Sequence, residues 1–329
     1  MKMNDFDEVL IGVIAPLRDE AQCLPDFIKS VRQNLDSCAQ SWEIILIDDG
    51  SVDNGWEIIT KQSIVDPRIK GIRFNRGFGK ESAIRAGLDA VSAKAAIIMD
   101  ADLQHPPDLI PEMVRIWNTQ KVKVVDAVKK RPSGRNFFLK IISSILYYVL
   151  NKHTGLSFEN RSDFKLLDRE VVDCINSLPE KITFFRGIVS WLGFPTYEIM
   201  FEVKDRIAGK PSWSLLNLSR LAIDAITGFT SAPLRIVTAF SAIFIVIAFI
   251  LILQTLYMKL SGRASEGFTT VIISTLIVGG VVSFSLGIIG EYLARIYEEV
   301  KQRPHFIIQQ TINTEKNEIL NNGTEKEDK

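Results

Sequence analysis

The sequence predicts an α/β fold: a mainly parallel sheet with helices on both faces, followed by a two-helix transmembrane hairpin. Three observations carry this expectation. Between residues 8 and 128, apolar runs of strand length alternate with segments whose apolar residues recur every three or four positions. That is the pattern of a parallel sheet covered on both sides. Several of the strand-like runs end in polar clusters, Pro16 to Glu20, Asp48 to Ser51 and Asp100 to Gln104, and such sheets bind ligands at the carboxyl ends of their strands. In the C-terminal third, 236–256 and 268–290 carry no charge; at about 1.5 Å rise per residue each is long enough for a hydrocarbon core of about 30 Å.

The elements follow in order. VLIGVIA (9–15) is the first strand, and Leu24, Phe27, Ile28, Val31 and Leu35 mark the apolar stripe of the helix after it. WEIILI (42–47) runs into Asp48-Asp49-Gly50-Ser51, and a short helix starts near Asn54. IKGIRF (69–74) leads through RGFGK (76–80) to a helix over Ala83, Ile84, Gly87, Leu88 and Val91. AAIIM (95–99) is the fourth strand and ends in DADLQHPP; PDLIPEMVRIW is a helix and VKVVDAV (122–128) a fifth strand.

Lys+Arg and Asp+Glu both number 39, a balance that argues against a nucleic-acid binder. Mean hydropathy is +0.13 with 24% charged residues, which suits a soluble part joined to membrane segments. Cys23, Cys38 and Cys174 show no metal or disulfide spacing and fit a reducing compartment. The first residues lack the basic start and cleavage site of a signal peptide. Lys204, Arg206, Lys210, Arg220 and Arg235 precede the first span, Arg295, Lys301 and Arg303 follow the second, and only Lys259 and Arg263 lie between them. Positive flanks stay in the cytoplasm, so both ends are expected there. Gly279, Ser283 and Gly287 share a face that allows close helix packing, within the hairpin or between copies. The stretches 137–150 and 212–226 are amphipathic, as core-facing or interfacial helices. Beyond about residue 311 the polar tail reads as disordered.

The chemistry concentrates in IIMDADLQHPPDL. Side chains alternate along a strand, so Asp100 and Asp102 converge only if the chain turns after it; Pro106-Pro107 suits such a turn and a helix start. Two carboxylates with the Gln104 carbonyl form a hard, oxygen-rich set suited to Mg²⁺ or Mn²⁺ held partly by substrate phosphates. His105 reads as packing against the site more than as a ligand. Asp48 and Asp49 could cap the following helix or hydrogen-bond a nucleotide. Lys80, after a glycine-containing loop and near a helix start, could meet a phosphate or sit on the surface.

APLRDE, IDDGSVD, GFGKESAIRAG and DADLQHPPDL together resemble successive motifs of family 2 glycosyltransferases, in the polyprenyl-phosphate branch that includes bacterial bactoprenol glucosyltransferases. DFKLLDR (163–169), Phe185-Arg186-Gly187 and GEYLARIYEEVKQRP (290–304) resemble its bacterial members, and the likeness covers about residues 8–307. The resemblance implies a nucleotide-sugar-binding, Rossmann-like catalytic domain of the GT-A type over 1–210. It implies a juxtamembrane segment over 211–235, spans at 236–256 and 268–290, and a cytoplasmic helix and tail over 291–329. It implies a homo-oligomeric hexosyltransferase that moves a sugar, glucose from UDP-glucose first, onto polyprenyl phosphate with inversion. Other donors, or a processive polysaccharide synthase, are alternatives; the Gln-x-x-Arg-Trp motif of the latter is missing.

Residue by residue, the resemblance puts Pro16, Glu20, Asp48, Asp49 and Lys80 around the nucleotide and Asp100 beside the diphosphate. Asp102 and Gln104 hold the metal, and Lys129, Arg131, Arg135, Lys140 and Ser144 meet the lipid phosphate. Family members commonly have Tyr-Asn where Leu17-Arg18-Asp19 stands, and Arg where Lys129 stands. Asp163 matches the family's candidate base. A phosphate monoester is mostly dianionic at neutral pH and needs no strong base, so Asp163 is expected to orient the sugar or the basic residues instead.

Overall fold

A computed structural model describes residues 10–39, 41–129, 161–178, 184–202 and 267–314, with isolated helical positions between 234 and 261. The chain divides into two compact units, Met1–Arg220 with Pro304–Lys329, and Leu221–Arg303.

The first unit is built on an eight-stranded sheet. Its strands are β1 (Ile11–Leu17), β2 (Trp42–Asp48), β3 (Ile69–Phe74), β4 (Ala95–Ile98), β5 (Val124–Lys129), β6 (Arg161–Asp168), β7 (Thr196–Phe201) and β8 (Ile308–Ile312). Their order is β7-β5-β6-β4-β1-β2-β3-β8. β3, β2, β1 and β4 form a parallel core. β6 runs antiparallel between β4 and β5, and β5 pairs parallel with β7. Strands β1 to β5 and β7 therefore point one way, and β6 and β8 run against them. All residues of β1, β2 and β4 are buried, which is why these strands read as continuous apolar runs and not as alternation.

Helices cover both faces: α1 (Leu24–Cys38), α2 (Gly55–Val65), α3 (Lys80–Ala90), α4 (Ile110–Gln120), α5 (Arg169–Ser177) and α6 (Phe185–Trp191). α1 and α4 each carry Pro and an acidic residue in the first turn, which suits a helix start. α1 buries Leu24, Phe27, Ile28, Val31 and Leu35, the stripe expected from the sequence. α5 is capped by Asp168, whose side chain accepts from the Glu170 N–H. α3 lies so close to the sheet that a Cβ on Gly87 would crowd Ile14 Cγ2 and stand 3.1 Å from Ile47 Cδ1. Gly87→Ala is expected to lower stability by about 1–3 kcal/mol through overpacking, read from thermal unfolding.

β8 is a strand that the sequence does not announce, ending where the expected polar tail begins; that tail lies outside the described residues beyond 314. Residues 308–312 form an antiparallel edge strand on β3, Phe306 stacks on Phe74 at 5.0 Å, and Asn313 Nδ2 donates to the carbonyls of Ser63 (2.9 Å) and Ile69 (3.0 Å). IQQTI is too polar to announce a strand. Its pairing comes from main-chain hydrogen bonds to an open sheet edge, which need little apolar side chain.

In the second unit α7 (Phe268–Val300) is a continuous helix that passes Gly290, the expected end of the second span. Among the described residues it is the helix long and apolar enough to cross a membrane, over Ile277–Ala294. The expected first span, 236–256, falls on the isolated positions, which from Val237 to Gln254 are all helical. The juxtamembrane segment 211–235, apart from Leu234, and the stretch 137–150 lie outside the described residues.

Candidate active site

The parallel core reverses its winding between β1 and β4, where such sheets open a ligand crevice at their carboxyl ends. The loops that leave β1 and β2 are tied to each other. Asp19, in the left-handed region at φ 55°, donates its N–H to Ser51 Oγ (3.0 Å) and accepts from the Val52 N–H (2.8 Å). Asp53 accepts from the Ala21 N–H at 2.8 Å. Asp19 thus fastens the two loops. Pro16 is buried within β1, opposite Ile47 of β2. Glu20 follows, and its carbonyl accepts from Cys23 Sγ, which also reaches the Ala101 carbonyl; burial pushes the Cys23 thiol up to about 11.

Asp48 and Asp49 separate sharply. Asp48 has no exposed surface: one oxygen accepts from the Ser51 N–H (2.8 Å) and the other lies 3.2 Å from Arg73 Nε. It shapes the turn after β2 and offers no surface to a ligand. Asp49 faces the next loop, accepting from the N–H groups of Phe78 (2.6 Å) and Gly79 (3.0 Å) at the start of α3, with Arg18 Nη1 at 3.8 Å. Burial raises its pKa, against the pull of those N–H groups and Arg18. Gly50 between the two loops adopts φ 68°, and a Cβ there would stand 2.5 Å from the Arg76 carbonyl carbon, so only glycine fits.

The centre of the site is a chain of alternating charge. Lys80 Nζ lies 2.5 Å from Asp100 Oδ1 and 2.7 Å from Asp163 Oδ2. Arg186 grips Asp163 with two parallel bonds, Nε to Oδ1 at 2.6 Å and Nη2 to Oδ2 at 2.8 Å, the fork geometry that makes such pairs strong. Burial opposes the charge on Asp163, but Lys80 and Arg186 outweigh it and hold its carboxyl well below the ordinary carboxylate range. Burial likewise opposes the charge on Lys80, and Asp100 and Asp163 raise its pKa. A carboxylate held so acidic does not take up protons near neutral pH.

After β4 the chain turns as the carboxylate pair required. Leu103 is left-handed at φ 60°, and Asp102 Oδ1 accepts from the Gln104 N–H at 3.0 Å, a side-chain-closed turn. His105 is buried, stacks on Phe164 at 5.2 Å, and its Nδ1 accepts from the Asp100 N–H at 3.0 Å. Burial lowers its pKa to about 4, so it is a neutral prop beneath Asp100. Among the described residues no three or more His, Cys, Asp or Glu side chains gather as a metal-binding group.

Lys129, at the end of β5, feels the same cluster: burial and the nearby Arg186 charge lower its pKa. Arg131, Arg135, Lys140 and Ser144 lie outside the described residues. The structure thus brings Lys80, Asp100 and Asp163 into contact, with Lys129 in their field. It adds Arg186, which sequence reasoning left without a role although its Phe-Arg-Gly triplet stood out.

Residues 12–175 match the model of glycosyl transferase family 2. SfII prophage-derived bactoprenol glucosyl transferase of Shigella flexneri is 34% identical over 309 residues, covering 92% of this chain and 98% of that protein. This chain belongs to glycosyl transferase family 2. Another family relative, the Bacillus subtilis protein named uncharacterized glycosyltransferase YkcC, is 34% identical over 306 residues, 92% of this chain and 94% of its own. Residues 232–296 of this family 2 enzyme match a second model, the GtrB C-terminal hairpin. Among solved structures, glucosyl-3-phosphoglycerate synthase from Mycobacterium tuberculosis, in complex with Mn²⁺, UDP and glucosyl-3-phosphoglycerate, is similar at TM-score 0.46 and 21% identity over 67% of this chain and 78% of its own.

Proposed function

We propose that this glycosyltransferase moves glucose from UDP-glucose onto a polyprenyl phosphate at the cytoplasmic face of a bacterial plasma membrane. One observation carries the reading: a family 2 catalytic region and a GtrB-type hairpin occur in one chain, and relatives matched over nearly their full length are named bactoprenol glucosyl transferases. An acceptor phosphate oxygen attacks the anomeric carbon, the bond from that carbon to the diphosphate oxygen breaks, and UDP leaves with the electron pair. The product is inverted at that carbon.

The chain's residues divide this work. Pro16, Glu20 and Asp49 lie beside the nucleotide, with Asp48 acting only through the turn it holds. Asp100, neutralised by Lys80, can stand beside a diphosphate without repelling it. Asp102 and Gln104 are oxygen donors on one tight turn, and with so few protein ligands nearby the remaining ones come from the donor phosphates, which is how Mg²⁺ is usually held. The divalent cation, Mg²⁺ or Mn²⁺, supplies charge neutralisation to the leaving diphosphate. Lys129 and Arg186 are like charges in one cluster, and a dianionic acceptor phosphate would relieve their repulsion. Asp163 fixes Lys80 and Arg186 and moves no proton.

Two spans, with both flanks cytoplasmic, would keep this cleft at headgroup level. The acceptor's tail then stays in the bilayer, avoiding about 0.8 kcal/mol for each CH₂ withdrawn. The small residues Gly279, Ser283 and Gly287, four apart on α7, would let a second helix approach closely, in the hairpin or in a homo-oligomer.

The test incubates the purified full chain and undecaprenyl phosphate with a panel of labelled nucleotide sugars. Label is expected in lipid with UDP-glucose, to vanish on chelation, and to return with Mg²⁺ or Mn²⁺. Label from another sugar would change the donor alone; label in no lipid product would overturn the proposal.

A further inference from the structure

Glu81 is a half-buried carboxylate to which the proposed reaction assigns no role. It follows Lys80 in the first turn of α3, and its Oε2 accepts from the Phe185 N–H, 104 residues away, at 3.0 Å. Phe185 is the first residue of α6, and that helix receives no side-chain cap from Phe184, its own N-cap residue. A carboxylate on a helix's first N–H satisfies an orphan donor and complements the helix dipole. The next residue after Phe185 is Arg186, whose guanidinium grips Asp163. Two neighbours on α3 thus hold the same partner from opposite ends: Lys80 touches Asp163 directly, and Glu81 fastens the helix that delivers Arg186.

We propose that Glu81 is a positioning residue for glycosyl transfer, a long-range cap on α6 that sets Arg186 against Asp163 and keeps the two cations in register around it. The inference rests on the proposed reading of this cluster as the phosphate-handling part of the site. The charged groups facing Glu81 are Asp163 on β6, Lys80 on α3 and Arg186 on α6. Burial first, and then Asp163, push its pKa up to about 7, against the Phe185 N–H, Lys80 and Arg186. The tether is therefore ionised above neutrality. It takes up a proton as the pH falls below about 7, which weakens its hold on the Phe185 N–H and removes a negative charge facing Arg186.

The test compares the full chain with its Glu81→Gln and Glu81→Ala variants by two readouts. The first is hydrogen exchange over Phe185–Trp191, which is independent of turnover. The exchange is expected to be about tenfold faster in Glu81→Ala, with Glu81→Gln between that variant and the parent. The second is kcat against pH. The parent is expected to lose turnover below about pH 7, whereas Glu81→Gln holds its turnover down to about pH 6, where the acceptor phosphate itself takes up a proton, and shows about tenfold lower kcat at neutral pH, with KM for the donor within about twofold. Unchanged exchange in Glu81→Ala would overturn the cap. Faster exchange with a parental kcat and pH profile would overturn the positioning role. Faster exchange in a protein that glycosylates no lipid with any donor would sink the proposed function and with it that role, leaving the cap standing.

Discussion

Asp102→Asn is expected to lower kcat by about 10²–10³-fold, because it weakens the hold on the proposed divalent cation, which would neutralise charge that grows on the leaving diphosphate in the transition state. The side chain sits in a turn that it closes by accepting from the Gln104 N–H, and an Asn oxygen can accept the same bond. Stability should therefore stay within about 0.5 kcal/mol of the parent. The measurement pairs turnover at saturating donor with thermal unfolding of the same preparation. A variant that lost its fold together with its activity would not support the assigned role. Raising the Mg²⁺ or Mn²⁺ concentration should recover part of the loss.

Asp163→Asn is expected to behave in the opposite way, with the larger effect on stability. Asp163 is 5% exposed and compensates two cations, each about one-third exposed at its side chain. Removing one partner of a buried pair leaves charge uncompensated and costs about 3 kcal/mol, the low end of the usual range because water reaches Lys80 and Arg186. Below its unfolding transition the variant should keep at least about tenfold more turnover than Asp102→Asn, because a dianionic acceptor needs no base. Equal losses of turnover in the two variants, with both folded, would count against an orienting role for Asp163. The pH dependence has a definite sign. The folded-state pKa of Asp163 is depressed, so its contribution is complete above the unfolded value of about 3.9 and is lost as the pH falls below it. The unfolding temperatures of parent and variant should converge only in that acid range.

The parallel core was legible because strands buried on both faces write themselves as apolar runs; VLIGVIA, WEIILI and AAIIM are all of this kind. β6 was not read as a strand because Asp163 and Lys165 interrupt its apolar residues. Both are buried and paired, Lys165 with Asp126 of β5, and such charges make sense only once the partner strand is in place. β8 is not legible because its polar residues signal nothing without the β3 edge. In the site, the carboxylate turn after β4 followed from local spacing. Lys80 stood as a surface or phosphate-binding lysine, because its partner Asp163 is 83 residues away and no periodicity reports such a distance. The two Asp residues after β2 looked alike in sequence; burial and hydrogen bonding make one a turn former and the other an anchor for α3.

The return of the chain to β3 has a consequence for how the protein is made. Asn313 binds the carbonyl of Ser63 across 250 residues, and β8 is synthesised only after α7. A ribosome therefore delivers the whole remaining sheet, and α7, before the partner of β3 exists. Through that interval β3 presents an unpaired edge, with Phe74 lacking the ring of Phe306, and exposed edges of this kind invite pairing with other chains. Closing the catalytic sheet is thus a late, long-range event in biogenesis, which follows synthesis of the helix instead of preceding it.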